Sequence, residues 1–513
     1  MSGGIIAGAE FNADRSIDVD VCIIGSGAGG AVLSAGLAQL GLRVCVLEEG
    51  GAFTRADWAE GLERVSMPML YQERGGRATA DQAITILQGR NVGGGTTVNW
   101  TTCFRTPKRI LDHWQRVHGI EGWDEVSLAP HFEAVEQRLG IAPWSEELIN
   151  SNNGLLEKGL RRMSQESAVL RRNVRGCANS GFCGLGCPYD AKQAMHLTYL
   201  PDAMGAGTVI YADLKVERIV VEGKRATSVV GVVMERGRDR PLAHNLVVRA
   251  KTIAVCGGAI NSPALLLASG LTAGPVGERT FLHPVVAVAG DYEDPVRAWA
   301  GAPQSIASHH NVDRGPDRIG YFVEAAPLHP MLGALAARQA GARSADFMSR
   351  LGHYTTHISL AVDGLMKGDS GGTVTLRPDG RARLDYPFRP ALMEAMQAGT
   401  ETLIRANLTA GASQVLTMHT DPVAVRGVKG LRQVFERGFG PLDLAVFSAH
   451  QMGGCAMGPD PATSVVRPDL RHHQLENLFV VDGSVFPTAL GVNPSESIYA
   501  LAHRAVSTVA ASV

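Results

Sequence analysis

The sequence has no apolar run near the ~18–20 residues that a membrane-crossing helix needs, so no helical span is expected. It is also poor in cysteine. Eight in 513 residues, five of them scattered, do not make a disulfide framework. It has no dominant charge either: 48 Lys and Arg face 50 Asp and Glu, a net −2. No basic stripe and no interleaving of aromatic with basic residues occurs, so neither nucleic acid nor an anionic membrane is an expected partner. The first residues lack the basic and apolar regions of a secretory leader, and the expected location is cytoplasmic. Internal repeats, low-complexity tracts and flexible linkers are absent too.

What is present is an ordinary globular composition, 45% hydrophobic and 19% charged, with mean hydropathy +0.02. At this length two domains or one large interleaved body are expected. Glycine is plentiful, with 60 residues clustered in turns between apolar runs.

Val19–Ile24 reads as a buried parallel strand, and Gly25-Ser-Gly27-Ala-Gly-Gly30 follows at once. Ala31–Leu40 reads as a helix, and Arg43–Leu47 as the next strand, ending at Glu48. This is the strand–loop–helix–strand setting in which such glycines bind a dinucleotide. Gly25 permits the turn, Gly27 admits a pyrophosphate, and Gly30 lets helix and strand pack closely. The helix N-terminus offers free N–H groups to phosphate. Glu48 can accept hydrogen bonds from a ribose. This stretch alone does not separate NAD from FAD.

A second glycine loop, Gly89 to Asn99, carries Gly93-Gly94-Gly95-Thr96 and can lay backbone N–H groups along a ligand. Near the C-terminus, Ser448-Ala-His450-Gln-Met-Gly-Gly-Cys455 precedes Val480-Val481-Asp482-Gly483 and then Gly491-Val-Asn493-Pro-Ser-Glu496. A histidine, a carboxylate at a strand end and an asparagine before a helix are a plausible reaction centre.

GSGAGG with VLEEG, GRNVGGGTTVN, CGGAINSPALLLASGL, AHQMGGCAMG and VVDGSVFPTALGVNP occur in that order. From about residue 17 to the C-terminus the chain resembles the glucose–methanol–choline (GMC) flavoprotein oxidoreductases. Its GGGTTVNWTTCFRTP stretch is most similar to the long-chain fatty-alcohol oxidase branch. It departs from that pattern at Thr272, where glycine is usual, and by having no long N-terminal extension.

The resemblance implies FAD. It places Gly25, Gly27, Gly30 and Glu48 at the ADP half, and Gly94, Gly95, Thr96 and Asn99 along the pyrophosphate and flavin. Val216 would touch adenine through its backbone, and Asp482 would sit near the ribityl chain. It also implies oxidation of a primary or secondary alcohol by hydride transfer to flavin N5. His450 would be the general base, and Asn493 would hydrogen-bond the alcohol oxygen. Histidine suits the task because its ordinary pKa of ~6.5 lies near working pH. Asn493-Pro494-Ser495-Glu496 also reads as a capping box opening a helix over 495–506. His283 is expected to be structural. The adjacent pairs His309-His310 and His472-His473 are poor joint metal ligands.

Cys177, Cys183 and Cys187-Pro188 lie in a glycine-rich loop, and thiolates so placed can hold an iron–sulfur cluster. Three cysteines imply a three-iron cluster, or else a fourth ligand from elsewhere such as Cys103, and the spacing is similar to that of GMC-type sugar dehydrogenase subunits carrying a three-iron cluster. The alternative is three reduced thiols shaping a loop. A cluster would pass electrons to a quinone or carrier protein; without one, oxygen is the expected acceptor. Other readings are a non-redox lyase, a flavin photoenzyme, or a non-catalytic NAD-binding module.

The expected fold is α/β: a Rossmann-like FAD domain of GMC type and a substrate domain on an antiparallel sheet. The FAD domain would comprise residues 17–105, 205–285 and 445–513. Residues 106–204 would be an insert with the cysteine loop, and 286–444 the substrate domain. Strand-like 354–362 and 372–376 are expected in its sheet. Apolar pieces such as 330–337 favour an aliphatic, aromatic or terpenoid alcohol.

Overall fold

The strand predicted at 19–24 is longer than its apolar core, running Arg15–Ile24. In the computed structural model, which describes residues 3–237 and 240–513, it occupies the middle of an eight-stranded sheet. Val21, Cys22 and Ile23 have no solvent exposure, as a strand covered on both faces requires. Val44–Leu47 lies parallel on one side of it, followed by Val209–Tyr211 and Gly4–Ile6. On the other side runs Pro241–Val255, also parallel, with Ile24 opposite Val255. Leu478–Val480 joins that strand's far end, and Leu214–Glu222 and Arg225–Met234 complete the sheet as an antiparallel pair. Gly4–Ile6, ahead of the first motif, was not foreseen: three residues are too short to show periodicity.

The helix Ala28–Gln39 packs against the last helix, Ser495–Ala510. Their approach is close: a Cβ on Gly36 would stand 2.5 Å from Val506. Residues near the two ends of the sequence thus pack together.

The second large sheet has nine strands, with the core Val285–Asp291, His357–Val362, Gly320–Ala325 and Ile306–Ser308 antiparallel. Two of its strands come from distant stretches, Ile84–Ile86 and Val446–Ser448, which pair with each other in parallel. The 21-residue helix Pro390–Ala410 packs on its back, against Val285–Asp291 and His357–Val362. Thr373–Leu376, expected in this sheet, instead forms a separate hairpin with Ala382–Asp385. Alternating burial along Thr373–Leu376 marks an edge hairpin, whereas His357–Val362 is buried throughout.

Candidate active site

One cavity of about 1830 Å³, its mouth included, is lined by residues from both large sheets. Gly25, Gly27, Glu48, Gly94, Gly95, Thr96, Asn99, Val216, Asp482, His450 and Asn493 all line it. Gly30 does not; it packs behind the turn, where a Cβ would come within 1.9 Å of the Gly25 oxygen.

The first loop turns at Gly25, whose φ of +104° and closeness to the Cys256 carbonyl exclude a side chain. Glu48 is bound back onto this loop. Its Oε2 accepts from Ser26 N (3.0 Å) and Ser26 Oγ (2.7 Å), and its Oε1 from Gly50 N (2.9 Å). Burial pushes its carboxyl pKa up, and those donors oppose the shift. Ser26, unremarked in the sequence, is therefore the residue that orients Glu48. The second loop forms a tight turn, Gly94–Thr97, touching the first. A Cβ on Gly94 would lie 2.8 Å from Gly27 Cα. The Thr96 hydroxyl is engaged with Gly93 O (2.6 Å) and Met195 N (3.0 Å), which leaves its backbone to face the cavity.

Asp482 accepts from Gly258 N (2.8 Å), Ser262 Oγ (2.5 Å) and Ser484 N (2.8 Å). It joins the end of the strand Leu478–Val480 to the start of the helix Gly258–Ala268. Lys192 is buried and unforeseen. It donates to the carbonyls of Thr97, Asn99 (3.1 Å) and Cys183 (2.7 Å), tying the cysteine loop to the second glycine loop.

His450 stands between the strands Val446–Ser448 and Gln451–Gly453. The second of these pairs antiparallel with Thr280–Leu282, Gln451 opposite Leu282. Extending that register by one residue brings His283 against His450, and their Nδ1 atoms lie 3.0 Å apart. Burial lowers the His450 pKa to about 4 and holds His283 well below the usual imidazole range, so both are neutral near pH 7. One hydrogen is shared between the two Nδ1 atoms. His283 Nε2 accepts from Gly491 N at 3.3 Å, a contact that favours keeping the shared hydrogen on His283. Read as structural in the sequence, His283 here holds the candidate base directly. The two are 167 residues apart, and only the ladder register brings them together.

Asn493 does not cap the last helix. The helix opens at Ser495 after Pro494, without a side-chain cap. Glu496 is buried instead, facing Arg171 and Glu136, and burial pushes its carboxyl up to about 8. The Asn493 side chain is turned to the cavity region, where its Oδ1 is buried without a hydrogen-bond partner.

Two sequence models of the GMC oxidoreductase family match residues 67–285 and 368–502. An uncharacterized GMC-type oxidoreductase of Mycobacterium tuberculosis is 32% identical over 487 residues, 94% of this chain and 74% of that protein. A long-chain-alcohol oxidase of Arabidopsis thaliana is 31% identical over 510 residues, 95% of this chain and 68% of that protein. The chain belongs to the GMC oxidoreductase family.

Solved GMC structures agree in fold. Pyridoxine 4-oxidase from Mesorbium loti superposes with a TM-score of 0.68 at 19% identity, covering 96% of this chain and 99% of that one. Formate oxidase from Aspergillus oryzae gives 0.71 at 15% identity, covering 97% and 99%. This GMC chain is thus a flavoprotein oxidoreductase by family, and FAD is the cofactor its relatives support. The residues fit that group: two touching glycine loops and a helix start line the cavity, with strand ends beside them. The same cavity also has apolar lining residues, among them Trp100, Val285, Ile358, Leu360 and Phe447.

The three-iron cluster finds no such support in this GMC chain. Among the described residues, no three Cys, His, Asp or Glu side chains converge as metal ligands. The Cys177 sulfur accepts from Asn179 N (3.4 Å), and Cys183 lies 3.8 Å from the Arg172 guanidinium. Cys103 is engaged elsewhere, with Thr101 O and Asn173 Oδ1. His309 stacks on Phe322, apart from any ligand group. No helix among the described residues is long and apolar enough to cross a membrane.

Proposed function

We propose that this GMC chain oxidises an apolar primary or secondary alcohol with FAD. The observation that carries the reading is the convergence of His450 and Asn493 on one cavity that also has a nucleotide-type glycine cradle and apolar walls. The likeness to proteins named long-chain-alcohol oxidases supports an aliphatic substrate. Bound FAD would supply the hydride acceptor.

The chain's own residues have four tasks. Trp100, Ile358, Leu360 and Phe447 take the apolar part of the substrate out of water. Asn493 hydrogen-bonds the alcohol oxygen. His450, kept neutral by burial, takes the hydroxyl proton at Nε2, a nitrogen with no partner among the described residues. His283 keeps the ring in place through Nδ1. Uptake at Nε2 requires the shared hydrogen to stand on His450 Nδ1 at that moment. The Gly491 contact opposes this by about 1–3 kcal/mol.

The relatives named as oxidases favour oxygen as the final electron acceptor; alcohol-dependent release of peroxide checks that assignment. The central test is His450→Ala. The variant should keep bound FAD, seen in its visible absorbance, while anaerobic flavin reduction by 1-octanol slows by roughly 10²–10⁴-fold. Unaltered reduction would remove His450 from the chemistry.

A further inference from the structure

We propose that Lys192 and Arg172 form a buried pair of uncompensated cations that acts on bound FAD through the cavity wall and raises its reduction potential. The inference rests on FAD as the cofactor and not on the alcohol reading.

Both side chains are 1% exposed. Lys192 Nζ donates to three carbonyls, those of Thr97, Asn99 (3.1 Å) and Cys183 (2.7 Å). Arg172 lies in the strand Arg171–Asn173, directly opposite Thr102 on the strand Thr102–Cys103. Its Nη1 donates to the carbonyls of Pro303 and Gln304 (3.3 Å), and its Nη2 lies 3.8 Å from Cys183 Sγ. The guanidinium stands over the Trp144 ring, 5.3 Å from its centre, and Nε has no partner. Every oxygen that either cation touches is thus a neutral carbonyl. Among the described residues no carboxylate hydrogen-bonds or ion-pairs with either one. The carboxyl reached through Gln304 is Glu324, whose Oε2 accepts from Gln304 Nε2 at 2.6 Å. Burial pushes it up to about 8, so it is protonated at pH 7 and supplies no counter-charge.

A buried charge is ordinarily compensated by an opposite one. Carbonyl dipoles solvate these two charges without cancelling them, and their field reaches the cavity. Asn99, Thr102 and Gln304 line that cavity together with Asn493. Lys192 holds the first by its carbonyl, and Arg172 holds the third. Ser495 Oγ, at the start of the helix Ser495–Ala510, donates to Thr102 O at 3.4 Å. Two cations and the positive end of a helix therefore stand behind one stretch of wall. Burial pulls the Lys192 pKa down to about 8, which leaves it charged at pH 7, and a guanidinium keeps its proton. FAD gains a negative charge on accepting a hydride. A fixed positive charge in a wall of low dielectric favours that charged form over the oxidised one.

The test separates charge from tethering. Lys192→Gln keeps an NH₂ for two of the three carbonyls and removes the charge. Arg172→Gln likewise keeps donors for Pro303 and Gln304. In each holoenzyme the FAD midpoint potential at pH 7 should fall by at least ~30 mV, the two-electron equivalent of a tenfold shift. Sulfite, which adds to the flavin to give an anion, should bind more weakly by the same factor. An unchanged potential in either variant, with FAD bound, overturns the proposal: that residue then only ties the glycine loop or Gln304 in place, a task the amide also performs. Cys183→Ser should leave the potential where it is. A rise would make the sulfur a counter-charge that cancels the field, and would overturn the proposal as well.

The wild type supplies a check that needs no substitution. Its FAD potential should lie above that of free FAD at pH 7. A value at or below it overturns the proposal even if neither variant folds. No alcohol enters these measurements, so a wild type that 1-octanol fails to reduce removes the substrate reading and leaves this one standing.

Discussion

Glu324, fully buried, has a consequence for stability. Its carboxyl titrates at about 8 in the fold against an ordinary 4.5. Between those values the folded chain binds a proton that the unfolded chain does not. Stability therefore falls as pH rises across that window, by a few kcal/mol, and levels off above it. Glu496, also pushed to about 8 by burial, acts in the same sense. Urea unfolding of Glu324→Gln across that range should show a shallower loss with pH than the wild type, not a flat line. An identical pH slope in the two proteins would mean Glu324 is ionised in the fold. Neither burial could be read from sequence. Glu324 sits in a strand with no special motif, and Glu496 reads there as a cap.

The start of the helix Ala28–Gln39 illustrates what one element demands. Its glycines are legible as a motif, but a contact as tight as that of Gly30 belongs to one the motif leaves variable. A Cβ on Gly29 would stand 1.9 Å from the Val481 carbonyl oxygen. Gly29→Ala must push the helix off the strand end that carries Asp482, at about 1–3 kcal/mol. It should lower the melting temperature and the flavin-to-protein absorbance ratio together. Gly154→Ala, in the helix Ser151–Arg162 with nothing within 4 Å of its Cβ, should change neither appreciably. The last helix makes the opposite point. Its existence is plain from the apolar period, yet its first turn is set by what surrounds Asn493 and Glu496. Tertiary contacts, not capping preference, decided where those side chains turned.

At the scale of the whole molecule, the cavity is shared between two sheets assembled from distant stretches. Ile84–Ile86 and Val446–Ser448 pair beside Val285–Asp291, so the nine-stranded sheet includes strands flanking the nucleotide motifs. A ligand bound only by the assembled chain stabilises it by mass action, by about 4 kcal/mol when present at a thousand times its Kd. Stripping FAD should thus lower the melting temperature, and adding FAD back should restore it. An unchanged melt would separate cofactor binding from the packing of the two sheets. The cysteine loop belongs to this scale too. Lys192 links it to the second glycine loop, and Tyr71 of the cavity wall donates to Gly184 O at 2.6 Å. Its part in the fold is to back the cavity.

By itself the sequence determined the family, the parallel strand–loop–helix start, and which glycines, carboxylates and C-terminal residues line the cavity. Those features are local: a turn, a helix start and a strand end are each specified by residues a few positions apart. Only the tertiary structure decided what stands behind the reaction centre. His283 reaches His450 through one ladder register, and Thr106 reaches Ser497 across 391 positions. Such contacts join residues more than a hundred positions apart, and they depend on which strands pair and which face is covered. No spacing in the chain records that.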